Sequence, residues 1–312
     1  MKVLLALEQT RISVGAIRIV SKLILPSGSD LFLLHVNPIP QKITGLAKER
    51  ILKISQQIQE VQKEVMEQAR QFLGKVEKTL SRQDVQFHPI VKKGFPGEEI
   101  LKIIRTKNID LVVLGTRGYS KAKGFLVGSV SQWVLHEGRC SVMIARPMSR
   151  EKKSVRGMKL ILATDGSPDS EAAVDFVNTV TLPASSHIMI LHVVKKHVYE
   201  TEQALTADGK HESEFAKLAE EFLEARGREG AKILQDTRKS ISSSDLQIQE
   251  RLVLGNSADE ILKASRYMKA DLIVMGSRGS TGVKGVFLGS VSNKVIHSAV
   301  CSVAVIRHKH KK

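Results

Sequence analysis

The chain of 312 residues contains one long sequence pattern twice. Residues 2–10 (KVLLALEQT) match residues 159–167 (KLILATDGS), and residues 128–142 (GSVSQWVLHEGRCSV) match residues 289–303 (GSVSNKVIHSAVCSV). The offset between the copies is 157 residues at the start (165 minus 8) and 161 later (276 minus 115). Solenoid repeats are far shorter than this, so the pattern predicts a duplicated globular domain.

Each half alternates apolar runs with helical patterns. In the first half strands are predicted at residues 3–7, 31–36, 85–91, 111–114 and 141–145, with shorter helices near 13–23, 98–105 and 129–137. The second half repeats this order, with strands near Leu160, Ile188, Gln247, Leu272 and Ser302. Continuous apolar strands between helices are typical of parallel sheets buried on both faces. The fold class predicted is α/β, with two repeated Rossmann-like domains that each have a five-stranded parallel sheet covered by helices on both faces.

A long amphipathic helix is predicted between the second and third strands of the first half. Apolar residues recur there every three or four positions from Ile51 to Val76, which defines one helical face. The corresponding helix of the second half contains Gly227 and Gly230, and we expect these glycines to break it.

The domain boundaries follow from the repeat and from local composition. The first domain is expected at residues 1–147, a polar linker at 148–157 and the second domain at 158–308, followed by a basic tail at 309–312. Each domain is long enough to bury a core of its own.

Composition narrows the class of protein. Hydrophobic residues make up 42% of the chain and the mean hydropathy is -0.08, which predicts a soluble globular protein without a membrane span. A net charge of +16 raises the question of nucleic acid, but aromatic residues are only 4%, which is little material for base stacking. Cys140 and Cys301 stand at equivalent repeat positions and open strand-like runs, so we interpret them as buried thiols of a cytoplasmic protein.

The fourth strand of each half is followed by a glycine pattern of fixed spacing. Glycine lets backbone N–H groups close around an anion, and the second glycine opens a helix whose dipole also favours phosphate. The alternative is a set of tight turns, and Ser129 with Gln132 fits a capping box. The same spacing in both halves favours phosphate binding. The pattern consists of Gly115, Gly118, Gly128 and Ser129 in the first half and of Gly276, Gly279, Gly289 and Ser290 in the second.

Taken together, these motifs resemble the universal stress protein family in a tandem, two-domain form. The family's ATP-binding members carry the spacing G-2x-G-9x-G-[ST], which both halves satisfy. The likeness also includes ILATDGS, the pair LLHV and ILHV, and the pair DLVVLGTRG and DLIVMGSRG. The resemblance covers nearly the whole chain. It implies a cytoplasmic protein that binds ATP or a related adenine nucleotide and acts as a sensor or regulator in a stress response.

The resemblance also implies which residues of the second half bind nucleotide. Asp165 would contact the ribose or adenine side, and Thr164 and Val193 would offer backbone groups to adenine. Glycines and hydroxyl residues would hold the phosphates. The full set is Thr164, Asp165, Val193, Met275, Gly276, Arg278, Gly279, Gly289, Ser290, Val291 and Ser292.

A second, less favoured site is implied in the first half. There Glu8 and Gln9 replace Asp165 and Gly166, which weakens the expectation for the nucleoside end. The set is Glu8, Val36, Gly115, Arg117, Gly118, Gly128, Ser129, Val130 and Ser131.

No residue set has a dedicated general base beside a nucleophile, so we predict no catalytic residues and at most slow ATP hydrolysis or self-phosphorylation, with Ser290 as the candidate acceptor. Mg²⁺ would arrive with the phosphates, because no metal-binding set is present. His35 and His192 end equivalent strands and are interpreted as structural. The resemblance further implies pairing of the halves through residues 141–145 and 302–306, and a homodimer. Two alternatives stay open: a nucleotide-free scaffold or interaction module and, less favoured, a nucleic-acid-associated protein.

Overall fold

The computed structural model describes residues 1–9, 12–38, 48–81, 84–116, 127–147, 157–195, 212–242, 245–279 and 288–308, without the side chains of residues 12, 48–60 and 212–220. The chain divides into two compact units, Met1–Pro147 and Met148–Lys312.

The first unit has a parallel sheet with the strand order β3-β2-β1-β4-β5. Its elements in chain order are β1 (Lys2–Leu7), α1 (Ile12–Lys22), β2 (Ser29–Pro38), α2 (Lys48–Leu80), β3 (Val85–Gly94), α3 (Pro96–Lys107), β4 (Leu111–Gly115), α4 (Ser129–Glu137) and β5 (Ser141–Ala145).

The second unit repeats this order, and its sheet reads β8-β7-β6-β9-β10, again parallel. Its elements are β6 (Lys159–Ala163), α5 (Pro168–Thr179), β7 (His187–Lys195), α6 (Glu212–Ser240), β8 (Gln247–Gly255), α7 (Ser257–Met268), β9 (Leu272–Gly276), α8 (Ser290–Ser298) and β10 (Ser302–Ile306). The predicted fold class is confirmed in both units.

The central strands form the core of each sheet. Three consecutive residues of β6, from Leu160 to Leu162, are 0% exposed, because helices cover both faces of a parallel sheet. The outer strand β8 is mostly exposed instead. In both sheets the direction of strand succession reverses beside the first strand, between β1 and β4 and between β6 and β9. Ligands of open α/β sheets bind at such points, beyond the carboxyl ends of the strands.

The predicted break in the helix of the second half is wrong. Helix α6 runs without interruption through Gly227 and Gly230. Among the residues that the structure describes, nothing would lie within 4 Å of a Cβ at Gly227. A Cβ at Gly230, in contrast, would lie 2.7 Å from Leu252 Cδ1 and 2.8 Å from His192 Cδ2. Gly230 therefore allows close contact between helix and sheet, and that packing offsets the cost of glycine in a helix, about 1 kcal/mol.

Two predictions from composition can be compared with the structure. Cys140 and Cys301 are buried, as expected, at 5% and 7% exposure. No helix in the described part of the chain is long and apolar enough to cross a membrane.

Candidate functional site

A cleft of about 550 Å³ opens at the carboxyl ends of β6, β7 and β9. Helices α5, α6, α7 and α8 also contribute lining residues. The cleft therefore lies at the reversal point of the second unit's sheet. Every residue of the set predicted for the second half lines it, namely Thr164, Asp165, Val193, Met275, Gly276, Arg278, Gly279, Gly289, Ser290, Val291 and Ser292. Their role in binding a nucleotide stays a prediction.

The start of α8 forms one end of the cleft. Its N-cap is Gly289, whose backbone N–H donates to the carbonyl oxygen of Ser277 at 2.8 Å. Ser292 Oγ donates to the same carbonyl at 2.8 Å. These bonds fix the helix start against the loop that follows β9. The first N–H groups of a helix have no partner within the helix, so this end of the cleft is suited to an anion.

The capping-box interpretation of the serines is wrong. The N-caps are Gly128 in α4 and Gly289 in α8, and neither has a side-chain cap bond. Ser129 and Ser290 are the first helical residues and both are exposed. Their hydroxyl groups therefore lie at the helix starts without capping them.

Close contacts explain two of the cleft's glycines. A Cβ at Gly276 would lie 2.7 Å from the backbone carbonyl carbon of Asp169. A Cβ at Gly279 would lie 2.6 Å from Asp165 Oδ2. Side chains at these positions would displace the start of α5 in one case and the Asp165 carboxylate in the other.

Asp165 lies where β6 ends, and a local turn orients its carboxylate. Its Oδ1 accepts hydrogen bonds from Ser167 N at 3.1 Å and from Ser167 Oγ at 2.6 Å. Between them Gly166 has a φ of +73°, a left-handed conformation that favours glycine. The Asp-Gly-Ser sequence thus presents the carboxylate beside Gly279 in the cleft.

Asp169 was not among the predicted site residues, and its carboxylate holds the loop that follows β9 through hydrogen bonds. It is only 4% exposed and lies in the first turn of α5. Its Oδ2 accepts hydrogen bonds from Ser277 Oγ at 2.6 Å, from Arg278 N at 3.1 Å and from Arg278 Nε at 3.3 Å. Its Oδ1 accepts one from the backbone N–H of His308 at 3.0 Å. One carboxylate therefore connects three separate segments of the second unit.

The charge of Asp169 is stabilised by these partners. Burial raises the pKa of its carboxyl, but the hydrogen bonds from Ser277 and His308, with the charge and hydrogen bond of Arg278, lower it more. The net pKa lies below the usual value, so the carboxylate is ionised at neutral pH. Comparison of the two repeats could have pointed to Asp169, because the equivalent position of the first half is Ile12 and an acid therefore stands in only one copy.

Helix α6 supplies a wall of the cleft that the sequence analysis also missed. Phe222, Arg226, Glu229 and Ile233 line it. The Arg226 guanidinium lies 5.3 Å from the centre of the Phe222 ring, and its Nη1 is 2.9 Å from Glu229 Oε2. Hydrophobic periodicity predicts which side of a helix is apolar, but not which of its turns reaches the sheet's carboxyl edge.

The structural interpretation of the two histidines agrees with their contacts. His35 Nδ1 is 2.9 Å from the carbonyl oxygen of Leu7, and His192 Nδ1 is 2.8 Å from that of Thr164. Each ring therefore ties the second strand of its sheet to the end of the first strand. His192 also lines the cleft.

The predicted first-half site is described only in part, because Arg117 and Gly118 lie outside the described residues. Gly128, Val130 and Ser131 begin α4 with the same burial pattern as their counterparts in α8. Ser131 Oγ lies 3.5 Å from the carbonyl oxygen of Gly115.

The nucleoside end of that site differs more. Glu8 is exposed, and its backbone N–H donates to Ser13 Oγ at 2.7 Å. Val36, at the end of β2, is half-buried. The two halves therefore share a helix start and differ where their first strands end.

No group of three or more His, Cys, Asp or Glu side chains able to hold a metal ion occurs among the residues that the structure describes.

Comparisons with known proteins agree with the fold. The model of the universal stress protein family matches residues 1–146 and again residues 158–307. The universal stress protein YxiE of Bacillus subtilis is 33% identical over 153 residues, which cover 48% of this chain and 98% of that protein. A universal stress protein of Methanocaldococcus jannaschii is 31% identical over 153 residues, or 49% of this chain and 84% of that protein.

Similar solved structures also include chains that span both halves. The crystal structure of a universal stress protein from Archaeoglobus fulgidus aligns with 99% of this chain and 98% of its own, at 22% identity and a TM-score of 0.56. The two matches to the family model account for both repeats, and the curated relatives each cover about one of them. The chain belongs to the universal stress protein family, in a tandem arrangement of two such domains.

Proposed function

We propose that the second-half cleft binds an adenine nucleotide, in the first instance ATP, and that the chain acts as a sensor or regulator in a stress response. One observation carries the proposal: the start of α8, the glycine loop and Asp165 line a single cleft at the reversal point of the sheet. Anion-binding N–H groups and a carboxylate suited to ribose hydroxyls are thereby combined in one cavity.

The cleft's two ends suit the two ends of a nucleotide. The phosphates would bind the N–H groups of Ser290 and Val291 and the side chain of Arg278. The base would pack against Val193 and Ile261, two apolar residues that also line the cleft. Mg²⁺ would enter as a complex with the phosphates. We propose no catalytic residues for this site.

Calorimetric titration of the full chain with ATP, ADP, AMP and GTP tests this proposal, with each nucleotide measured in Mg²⁺ and in EDTA. Saturating ATP at about 100 times its dissociation constant should stabilise the protein by about 2.7 kcal/mol. If ATP neither releases heat nor raises the melting temperature, and no nucleotide co-purifies with the protein, the proposal is wrong.

A glycine variant locates the site. Gly279→Val places a side chain against Asp165 and should abolish ATP binding. Gly227→Ala, where nothing lies within 4 Å of the added Cβ, is the matched control and should bind ATP normally. Equal binding by both variants would place the nucleotide elsewhere.

A second function is proposed for the first half, as a nucleotide-free interaction module. Glu8 stands where the second half has Asp165, and α2 exposes Val61 and Val65 to 59% and 39%. The titration separates the two possibilities: one ATP per chain supports an empty first half, and two ATP per chain exclude it.

The remaining expectations from the sequence stay proposals. They are domain boundaries at residues 1–147 and 158–308, the linker at 148–157, the basic tail at 309–312, and a cytoplasmic setting, which the two buried thiols support. Pairing of the two halves and of two chains stays a prediction from the family resemblance.

A further inference from the structure

A buried carboxylate, that of Asp169, is hydrogen-bonded to the glycine loop after β9. Asp169 does not line the cleft, and its side chain is 5% exposed. Its Oδ2 accepts hydrogen bonds from Ser277 Oγ and from the backbone and side chain of Arg278, all within 3.3 Å. A buried charge with several partners is costly to disturb, because removing one partner leaves the others unsatisfied. The carboxylate therefore restrains both the course of the loop and the orientation of its arginine.

Arg278 links this support to the cleft. It lines the cleft and its side chain is 32% exposed. Of the three guanidinium nitrogens, Nε is the one that donates to Asp169, at 3.3 Å. The terminal nitrogens of a guanidinium carry further N–H donors, and a planar group held at Nε has few remaining orientations. A restrained arginine loses less conformational entropy when it binds a phosphate than a mobile one.

We propose that Asp169 is a positioning residue for the phosphate end of the cleft, acting through Arg278. This inference rests on the proposed function and adds a determinant outside the cleft. Asp169 holds the loop at Ser277, fixes Arg278 at Nε and leaves the outer face of the guanidinium for the ligand. It never touches the nucleotide itself.

The sequence of the first half contains a natural contrast. Ile12 stands at the position equivalent to Asp169, whereas Thr116 and Arg117 correspond to Ser277 and Arg278. The arginine is thus retained in the first half without the acid that would hold it. Phosphate affinity in the two halves should differ for this reason, in addition to the change from Asp165 to Glu8.

Titration calorimetry on the full chain tests the inference with ATP and adenosine as the two probes. Asp169→Asn keeps the shape of the side chain and removes its charge, and it should weaken ATP binding about tenfold while adenosine affinity stays within about twofold. Asp271→Asn is the matched control. Asp271 is another buried acid of the same unit, 7% exposed, and its Oδ2 accepts the backbone N–H of Lys159 away from the cleft. This control should bind ATP like the wild type.

A double-mutant cycle separates positioning from general stability. If Asp169 acts through Arg278, adding Asp169→Asn to Arg278→Ala should weaken ATP binding by no more than about twofold further. Ser277→Ala keeps the carboxylate and removes its 2.6 Å hydrogen bond, and it should weaken ATP binding about threefold even if the Asn variant does not fold.

Three outcomes would overturn the inference. They are wild-type ATP affinity in both Asp169→Asn and Ser277→Ala, equal losses for ATP and adenosine, or a full tenfold loss in the Arg278→Ala background. If the wild type binds neither ATP nor adenosine, the proposed function itself fails. If the wild type binds ATP and one of these three outcomes is found, only the inference about Asp169 fails.

Discussion

The two halves of this chain have nearly the same glycine pattern after their fourth strand but different residues after their first strand. Both helices that follow the loop begin with a glycine N-cap and an exposed serine. The difference lies at the first strand–helix connection, where the second half has Asp165, Gly166 and Asp169 and the first half has Glu8, Gln9 and Ile12. The comparison teaches that a glycine pattern is visible in one short stretch of sequence, whereas the side chain that holds the loop in the second half, Asp169, lies more than a hundred residues away from it.

The largest expected effect concerns the contact between the loop and α5. Gly276→Ala should lower the free energy of unfolding of the second unit by about 3 kcal/mol, because the added Cβ would lie 2.7 Å from backbone atoms. Urea unfolding followed by hydrogen exchange of the amides of β9 measures the loss. Gly227→Ala should be neutral or slightly stabilising, since an added methyl group there meets nothing and favours the helix. Similar unfolding of the two variants would contradict this account.

The second-largest expected effect is on the pH dependence of stability, which should differ between the two halves. The pKa of Asp169 is lowered in the folded state, so its stabilising contribution is complete above the unfolded value of about 4 and is lost as pH falls through the folded value. Asp169→Asn should therefore destabilise the second unit by about 2 kcal/mol at neutral pH and by progressively less below about pH 4.

Unfolding curves of both proteins over this pH range measure the difference. Hydrogen exchange should show β9 and β10 losing protection in acid before β4 and β5, because Ile12 replaces the acid in the first half. A gap between wild type and variant that stays constant from pH 7 to about pH 3 would argue against the charge of Asp169 as the cause.

A reciprocal exchange tests the nucleoside end. Glu8→Asp combined with Gln9→Gly introduces the shorter acid and the residue that tolerates the φ of +73° seen at Gly166. We expect ATP binding in the first half to improve by about tenfold, or about 1.4 kcal/mol. Titration in the Gly279→Val background, where the second site is blocked, isolates this gain. Unchanged binding would assign the asymmetry to Ile12 instead.

The smallest effect is expected at the serines that begin the helices. Ser129→Ala and Ser290→Ala should each change the free energy of unfolding by less than about 0.5 kcal/mol, since neither serine caps its helix. Ser167→Ala should cost about 1 kcal/mol, because Ser167 is the N-cap of α5 and its Oγ accepts the backbone N–H of Ser170. Thermal unfolding of the three variants compares them, and a loss at Ser290 as large as that at Ser167 would restore the capping role.

Much of the fold was predictable because its signals are local. Continuous apolar runs such as the one from Leu111 to Leu114 mark strands buried on both faces, and their order with the helices leaves few topologies. The place of the second-half cleft was predictable for a related reason, while the family resemblance implied its individual residues. Motifs at the ends of the first, second and fourth strands must meet at one edge of a parallel sheet.

Two of the errors, at Gly230 and at Asp169, have one physical cause, namely contacts between residues distant in sequence. From its neighbours in sequence alone, Gly230 is predicted to break the helix. Its close packing against Leu252 and His192 offsets the cost of glycine within the helix. Asp169 reads locally as an acid in the first turn of a helix, a position that favours negative charge in any protein. Its partners Ser277 and His308 are more than a hundred residues away, so no local pattern indicates them.

The glycine in the middle of α6 has a consequence for how this family member can change. His192 lines the cleft and packs against α6 at Gly230. Because glycine has no Cβ, α6 can lie closer to the sheet at this point than a helix with a side chain there. A change to alanine at Gly230 would require the helix or the side chains of Leu252 and His192 to shift, without altering any other residue of the cleft wall. The width of the cleft is thus open to selection, or to a protein engineer, at a position that does not itself line the cleft.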